Sequence, residues 1–122
     1  MSVQARTIAV IDDDPRVLES LVNLLSSFGY SAHSYKSAEQ FLESNALSQT
    51  SCIITDVEMR QMSGLALLQF LKNDDCTVPV IVITGKPSER SEAFYLENGA
   101  AGFFRKPVDG EALVELIGAV CI

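Results

Sequence analysis

Residues 7–15 read TIAVIDDDP. A short apolar run stops at Asp12, Asp13 and Asp14, and Pro15 follows at once. The run has the character of a buried strand. Asp14 offers a side-chain cap for a helix, and Pro15 suits the first helical position, where a missing N–H costs nothing. Strand, polar edge and helix start are thus compressed into one segment. The same grammar recurs at residues 51–59 (SCIITDVEM), 78–87 (VPVIVITGKP) and 99–107 (GAAGFFRKP), whose runs stop at Asp56, at Thr84 and before Lys106. Helical patterns lie between the runs. The strands are therefore expected to be parallel and to end on one edge of a sheet, where open α/β sheets place their sites.

Working outward, residues 7–11 form the first strand. A helix follows with Val17, Leu18, Leu21, Leu24, Leu25 and Phe28 on its apolar face, and Gly29 ends it as a left-handed residue. Residues 30–35 are more polar and suit an edge strand. Ser37 can cap a second helix that turns Ala38, Phe41 and Leu42 inward. Residues 52–55 form a continuous apolar strand, the sign of burial on both faces. A third helix over 64–71 faces Leu65, Leu68 and Leu71 inward. Residues 80–83 make the fourth strand, Ser88 can cap a fourth helix that stops at Asn98-Gly99, and 101–104 make the fifth strand. Asp109 can cap a last helix that carries Leu113, Leu116 and Ile117. The expected fold is α/β, a single (βα)5 domain over residues 1–122 with helices on both faces of the sheet.

Bulk properties agree with one globular domain. The chain has 122 residues, 48% of them hydrophobic and 20% charged, with a net charge of -7. That acidity opposes direct binding to a phosphate backbone. No apolar run approaches the roughly 20 residues that span a bilayer, and MSVQART lacks the apolar region of a secretory signal, so a cytoplasmic location and no membrane partner are expected. Cys52, Cys76 and Cys121 lack metal-ligand spacing and read as free thiols. The single histidine, His33, falls in the edge strand and is assigned no role.

Chemistry gathers at the strand ends. Three consecutive aspartates exceed what a helix cap requires. Their mutual repulsion would be relieved by a hard cation such as Mg²⁺, which takes oxygen ligands. Asp56 ends the strand expected to lie beside the first, where its carboxylate could attack phosphorus to give an aspartyl phosphate. The Thr84 hydroxyl could donate to a phosphoryl oxygen, and the Lys106 ammonium is a compact phosphate-binding charge.

Taken in this order, the residues resemble the response-regulator receiver domain of two-component signalling, over essentially the whole chain. The segments IDDDPRVLESL, DVEMRQMSGLALL and VIVITG are most similar to receivers of regulators that carry a helix-turn-helix output domain. The resemblance implies a flavodoxin-like three-layer sandwich with a five-stranded parallel sheet in the order 2-1-3-4-5. It implies Asp56 as phosphoacceptor from a sensor histidine kinase, Thr84 as switch hydroxyl and Lys106 as the invariant lysine. Mg²⁺ is expected on Asp13, Asp56 and the backbone carbonyl of Glu58, with Asp12 assisting through water. Phe103 matches the aromatic switch residue, and a homodimer through helix 4, strand 5 and helix 5 is implied. Such a domain assists its own phosphorylation and dephosphorylation without being an enzyme in the usual sense. Glu58 and Lys86, two residues beyond Asp56 and Thr84, border the path of the hydrolytic water in the family and are candidates to tune the lifetime of the phosphorylated state. One departure stands out: the usual Met-Pro after the phosphoacceptor is Met59-Arg60 here, which leaves the loop freer.

Other readings are a stand-alone receiver or phosphorelay shuttle, and an interaction domain that works without phosphorylation. From another class, the (βα)5 architecture also serves flavin and nucleotide binders. These need a phosphate-cradling loop after the first strand, where this chain places Asp12, Asp13 and Asp14.

Overall fold

Each apolar run becomes a strand because it is too short for a helix and is bracketed by residues that start or stop one. The computed structural model describes residues 6–59, 61–85 and 91–121. Among them the strands are β1 (Thr7–Ile11), β2 (Ser31–Tyr35), β3 (Cys52–Asp56), β4 (Val80–Thr84) and β5 (Gly102–Arg105). All pair in parallel, in the order β2-β1-β3-β4-β5. Every residue of β3 and β4 is buried, as expected of strands covered on both faces, while β2 at the edge is half open to solvent.

The helices are α1 (Pro15–Ser27), α2 (Ala38–Glu43), α3 (Gly64–Asn73), α4 (Glu92–Glu97) and α5 (Gly110–Val120). Strand pleating sends alternate side chains to opposite faces. Ile8, Val10, Ile54, Ile81 and Ile83 meet Leu18, Leu21 and Leu25 of α1 and Leu113 and Ile117 of α5. Ala9, Ile11, Ile53 and Val82 meet Ala38 and Phe41 of α2, Leu67, Leu68 and Leu71 of α3, and Tyr95 of α4. The result is a three-layer sandwich with two cores. Burying one such aliphatic side chain contributes about 1.5–3 kcal/mol, so both layers are held firmly to the sheet.

The helix starts follow from side-chain caps. Asp14 accepts from the Arg16 N–H, Ser37 from Gln40, Ser63 from Ala66, Ser91 from Phe94, and Asp109 from Glu111 and Ala112. Gly29 follows the end of α1 with φ +89°, the left-handed geometry expected of it.

Several sequence expectations need correction. The cap of α4 is Ser91; Ser88 lies outside the described residues. Phe28 is exposed, because α1 ends at Ser27 and the ring leaves the apolar face. In α3, Leu67 is fully buried and Leu65 only half so, because the face that packs on the sheet is turned toward Leu67, Leu68 and Leu71. Strands β3 and β4 each run one residue further, so Asp56 and Thr84 are the last residues of strands. The fifth strand is shifted by one residue, to Gly102–Arg105. A short 3-10 turn at Leu47–Gln49 was not foreseen.

Candidate functional site

Parallel pairing aligns the strand ends. Asp56 pairs in register with Ile83, and Thr84 with Arg105. Asp12 follows β1 directly and its N–H donates to the Tyr35 carbonyl at 3.1 Å. The Lys106 N–H donates to the Thr84 carbonyl at 2.8 Å, which fixes the lysine just beyond β5. Asp12, Asp13, Asp56, Thr84 and Lys106 thereby share one edge of the sheet.

The carboxylates converge. Asp12, Asp13 and Asp56 can each offer one oxygen such that all lie within 4.8 Å of one another. Asp12 and Asp56 are buried and Asp13 is exposed. One oxygen of Asp12 accepts the Asp14 N–H at 2.9 Å and the other accepts from Lys106 Nζ at 2.8 Å. The same ammonium lies 3.5 Å from Asp56 Oδ2. Asp12 is thus committed on both oxygens, whereas Asp13 projects to solvent beside Asp56. A three-carboxylate set of this span fits a hard divalent cation with oxygen ligands.

Burial holds the Asp56 carboxyl above its ordinary pKa, and the negative charge of Asp12 adds to the rise. Lys106 and the Glu58 N–H, 3.4 Å from Asp56 Oδ1, pull in the other direction without cancelling it. For Lys106, burial alone would lower the pKa. The hydrogen bond and charge of Asp12, followed by those of Asp56, outweigh burial and hold it above the ordinary lysine value. The ammonium is therefore the built-in counterion of two buried acids. Elsewhere, burial pushes the Cys52 thiol up to about 12, which makes it an inert core group.

Two glycines give this edge its shape. A Cβ on Gly64 would run into the Asp56 carbonyl and lie 2.9 Å from Val57 Cα, so α3 can start close behind the acid only with glycine there. A Cβ on Gly85 would sit 3.2 Å from Lys106 Cδ, on the path of the lysine stem.

Phe103 is half buried on β5. Its ring stacks on that of Tyr95 from α4, with centroids 5.5 Å apart and planes at 19°. The Arg105 guanidinium carbon stands 5.4 Å from the Phe103 centroid. Thr84 is buried at the end of β4. The Glu58 side chain is exposed, while Lys86 and Arg60 lie outside the described residues. Glu39 of α2, which no sequence pattern marks, accepts the Met62 N–H of the β3–α3 loop at 3.0 Å.

These features define an open parallel α/β domain with three carboxylates and a lysine gathered at the C-terminal edge of its sheet. The pattern described as the response regulator receiver domain matches residues 8–118, and the chain belongs to that family. Response regulator protein TodT of Pseudomonas putida is 38% identical over 120 residues, covering 98% of this chain and 52% of TodT. Transcriptional regulatory protein FixJ of Azorhizobium caulinodans is 39% identical over 110 residues, covering 90% of this chain and 52% of FixJ. The crystal structure of FixJ-N matches with a TM-score of 0.84 at 30% identity, covering 98% of this chain and 95% of that one. The chain spans about half the length of the curated relatives it matches. It is a receiver domain of two-component signalling, a family that uses Mg²⁺ at an acidic pocket and is phosphorylated by sensor histidine kinases. Among the described residues, no helix is long and apolar enough to cross a membrane.

Proposed function

We propose that Asp56 is the phosphoacceptor of this receiver and that Asp12, Asp13, Asp56 and the Glu58 backbone carbonyl form its Mg²⁺ site. The observation that carries the reading is the convergence of Asp12, Asp13 and Asp56 within 4.8 Å, with Lys106 Nζ 2.8 Å from Asp12 and 3.5 Å from Asp56. An Asp56 oxygen attacks the phosphorus of a kinase phosphohistidine, the P–N bond breaks, and an acyl phosphate forms. Bound Mg²⁺ supplies charge neutralisation for the phosphoryl oxygens. Lys106 adds a second positive charge from the β5 side, and the Thr84 hydroxyl donates to a phosphoryl oxygen. Asp12 holds Lys106 in place and would assist a bound cation through water.

The output runs through Thr84 and Phe103. Movement of Thr84 toward the phosphoryl group frees space for the Phe103 ring, now stacked on Tyr95 of α4. The α4–β5–α5 face then changes its affinity for a partner or for a second copy of the chain. Relatives named as regulators of transcription support a role in gene control through a helix-turn-helix output domain. Glu58 and Lys86, each two residues beyond a site residue in the sequence, tune the lifetime of the phosphorylated state. Loss of phosphate at wild-type rate from both Glu58→Ala and Lys86→Ala refutes that role.

Acetyl phosphate with Mg²⁺ tests the central reading by mass spectrometry. The wild type gains one phosphoryl mass; Asp56→Asn gains none, and Asp13→Ala gains little at Mg²⁺ levels that suffice for wild type. Stable labelling of Asp56→Asn overturns the assignment. An unlabelled wild type supports a receiver that binds partners without phosphorylation.

A further inference from the structure

The segment between Asp56 and α3 carries the Glu58 carbonyl, and its position decides whether that oxygen can serve a cation. Its start is fastened to β4 and its two ends to each other. The Val57 N–H donates to the Ile83 carbonyl at 2.8 Å, and the Gly64 N–H donates to the Val57 carbonyl at 2.9 Å. Between them the Met62 N–H reaches out of the loop to Glu39 Oε2 at 3.0 Å, on a different helix and 23 residues away in sequence. Glu39 is the second residue of α2, which is anchored by fully buried Ala38 and Phe41. Its other oxygen, Oε1, is buried and meets no hydrogen-bond donor among the described residues. A carboxylate oxygen in that state is costly, and α2 could avoid the cost with an outward glutamate or an alanine. The site side of the loop is also loosely filled: a cavity of about 190 Å³ lies there, lined by Asp13, Lys36, Ser37, Met59 and Gln61. Met59 and Met62 of the loop lean half-buried on the core, contacts that are not directional, and the Glu39 hydrogen bond adds a directed anchor to them.

We infer that Glu39 is a positioning residue for the metal and phosphoryl site, a strap from α2 that sets the β3–α3 loop and with it the Glu58 carbonyl. The inference rests on the function proposed above. The strap acts through its acceptor oxygen and its reach. Partners that orient ligands from behind typically change metal affinity by about 10–100-fold, and a strap acting through the backbone belongs at the low end of that range, about tenfold.

The test uses Mg²⁺ titrations followed by backbone amide shifts of Asp13, Asp56 and Glu58, together with amide hydrogen exchange at Met62. Glu39→Ala is expected to expose the Met62 amide to faster exchange and to weaken Mg²⁺ binding about tenfold. Glu39→Gln, whose carbonyl oxygen still accepts, stays near wild type. Glu39→Asp keeps the charge but shortens the reach. It falls between wild type and Glu39→Ala, and it carries the test if Glu39→Ala does not fold. Unchanged Mg²⁺ affinity in Glu39→Asp and in a folded Glu39→Ala overturns the strap while leaving the site reading intact. A Glu39→Gln variant as weak as Glu39→Ala assigns the effect to charge and also overturns it. A wild type that binds no Mg²⁺ refutes the site reading, and the strap falls with it.

Discussion

The two ends of the same sheet are built on opposite principles. Where the strands begin, a groove of about 450 Å³ runs beside α3 and is lined by Leu68, Leu71, Val78 and Val80 with Lys72 and Asp75 at its margin. Neighbouring segments are tied by plain backbone bonds there, Ser51 N–H to the Thr7 carbonyl at 2.7 Å and Ala101 N–H to the Val80 carbonyl at 2.7 Å. Where the strands finish, Asp12, Asp56 and Thr84 are buried polar groups. Two of them are carboxylates that repel each other and depend on one ammonium. The first end maximises stability. The second sacrifices some of it to hold like charges together, a repulsion that a bound divalent cation would offset.

The contrast can be broken by mutation, and the largest effect is expected at the stable end. Leu71→Ala opens a hole beside Val80 and should cost about 2–5 kcal/mol, measured by urea unfolding. The loss should be the same with and without Mg²⁺. A Mg²⁺-dependent loss would show that the two ends are coupled.

Lys106→Met tests the functional end. It leaves Asp12 and Asp56 without their shared counterion, and because the lysine is partly solvated the cost should be smaller, about 1–3 kcal/mol. Millimolar Mg²⁺ should return part of that stability by supplying the missing positive charge. A variant as stable as wild type without Mg²⁺ would mean that solvent already screens the two acids.

The smallest effect has the opposite sign. The pKa of Asp56 is raised in the folded state by burial and by Asp12. The folded protein therefore binds that proton more tightly than the unfolded chain, and stability falls as pH rises through the window between the ordinary aspartate value and the raised one. Asp56→Asn removes this penalty. Without Mg²⁺ it should melt above wild type at neutral pH, with the gain shrinking as pH falls through the raised value toward the ordinary one. A gain that persists at low pH would assign it to packing. Lys106 gives the mirror case: its stabilising contribution is present at neutral pH and is lost only in strong alkali, as pH rises through its raised pKa.

Much of this arrangement was legible in the sequence because it depends on local rules. Strand length, the Asp14-Pro15 and Asp109 helix starts and Gly29 as a terminator are set by backbone sterics and capping within a few residues. Parallel strands with intervening helices then force every strand end to one edge. Asp12, Asp13, Asp56, Thr84 and Lys106 could therefore be placed together from order alone. Which oxygen meets which nitrogen could not. The pairing of Lys106 with Asp12 at 2.8 Å and Asp56 at 3.5 Å joins residues 94 and 50 positions apart. The bond from Met62 to Glu39 is equally silent in sequence, since a glutamate in the first turn of a helix looks like ordinary capping chemistry. The turn of α3 toward Leu67 and the stacking of Phe103 on Tyr95 were decided by packing against the sheet. Local propensity and pattern determined the elements and the edge on which the site lies. Distances, burial and the shared counterion came only from the tertiary structure, because they depend on side chains brought together by the whole sheet.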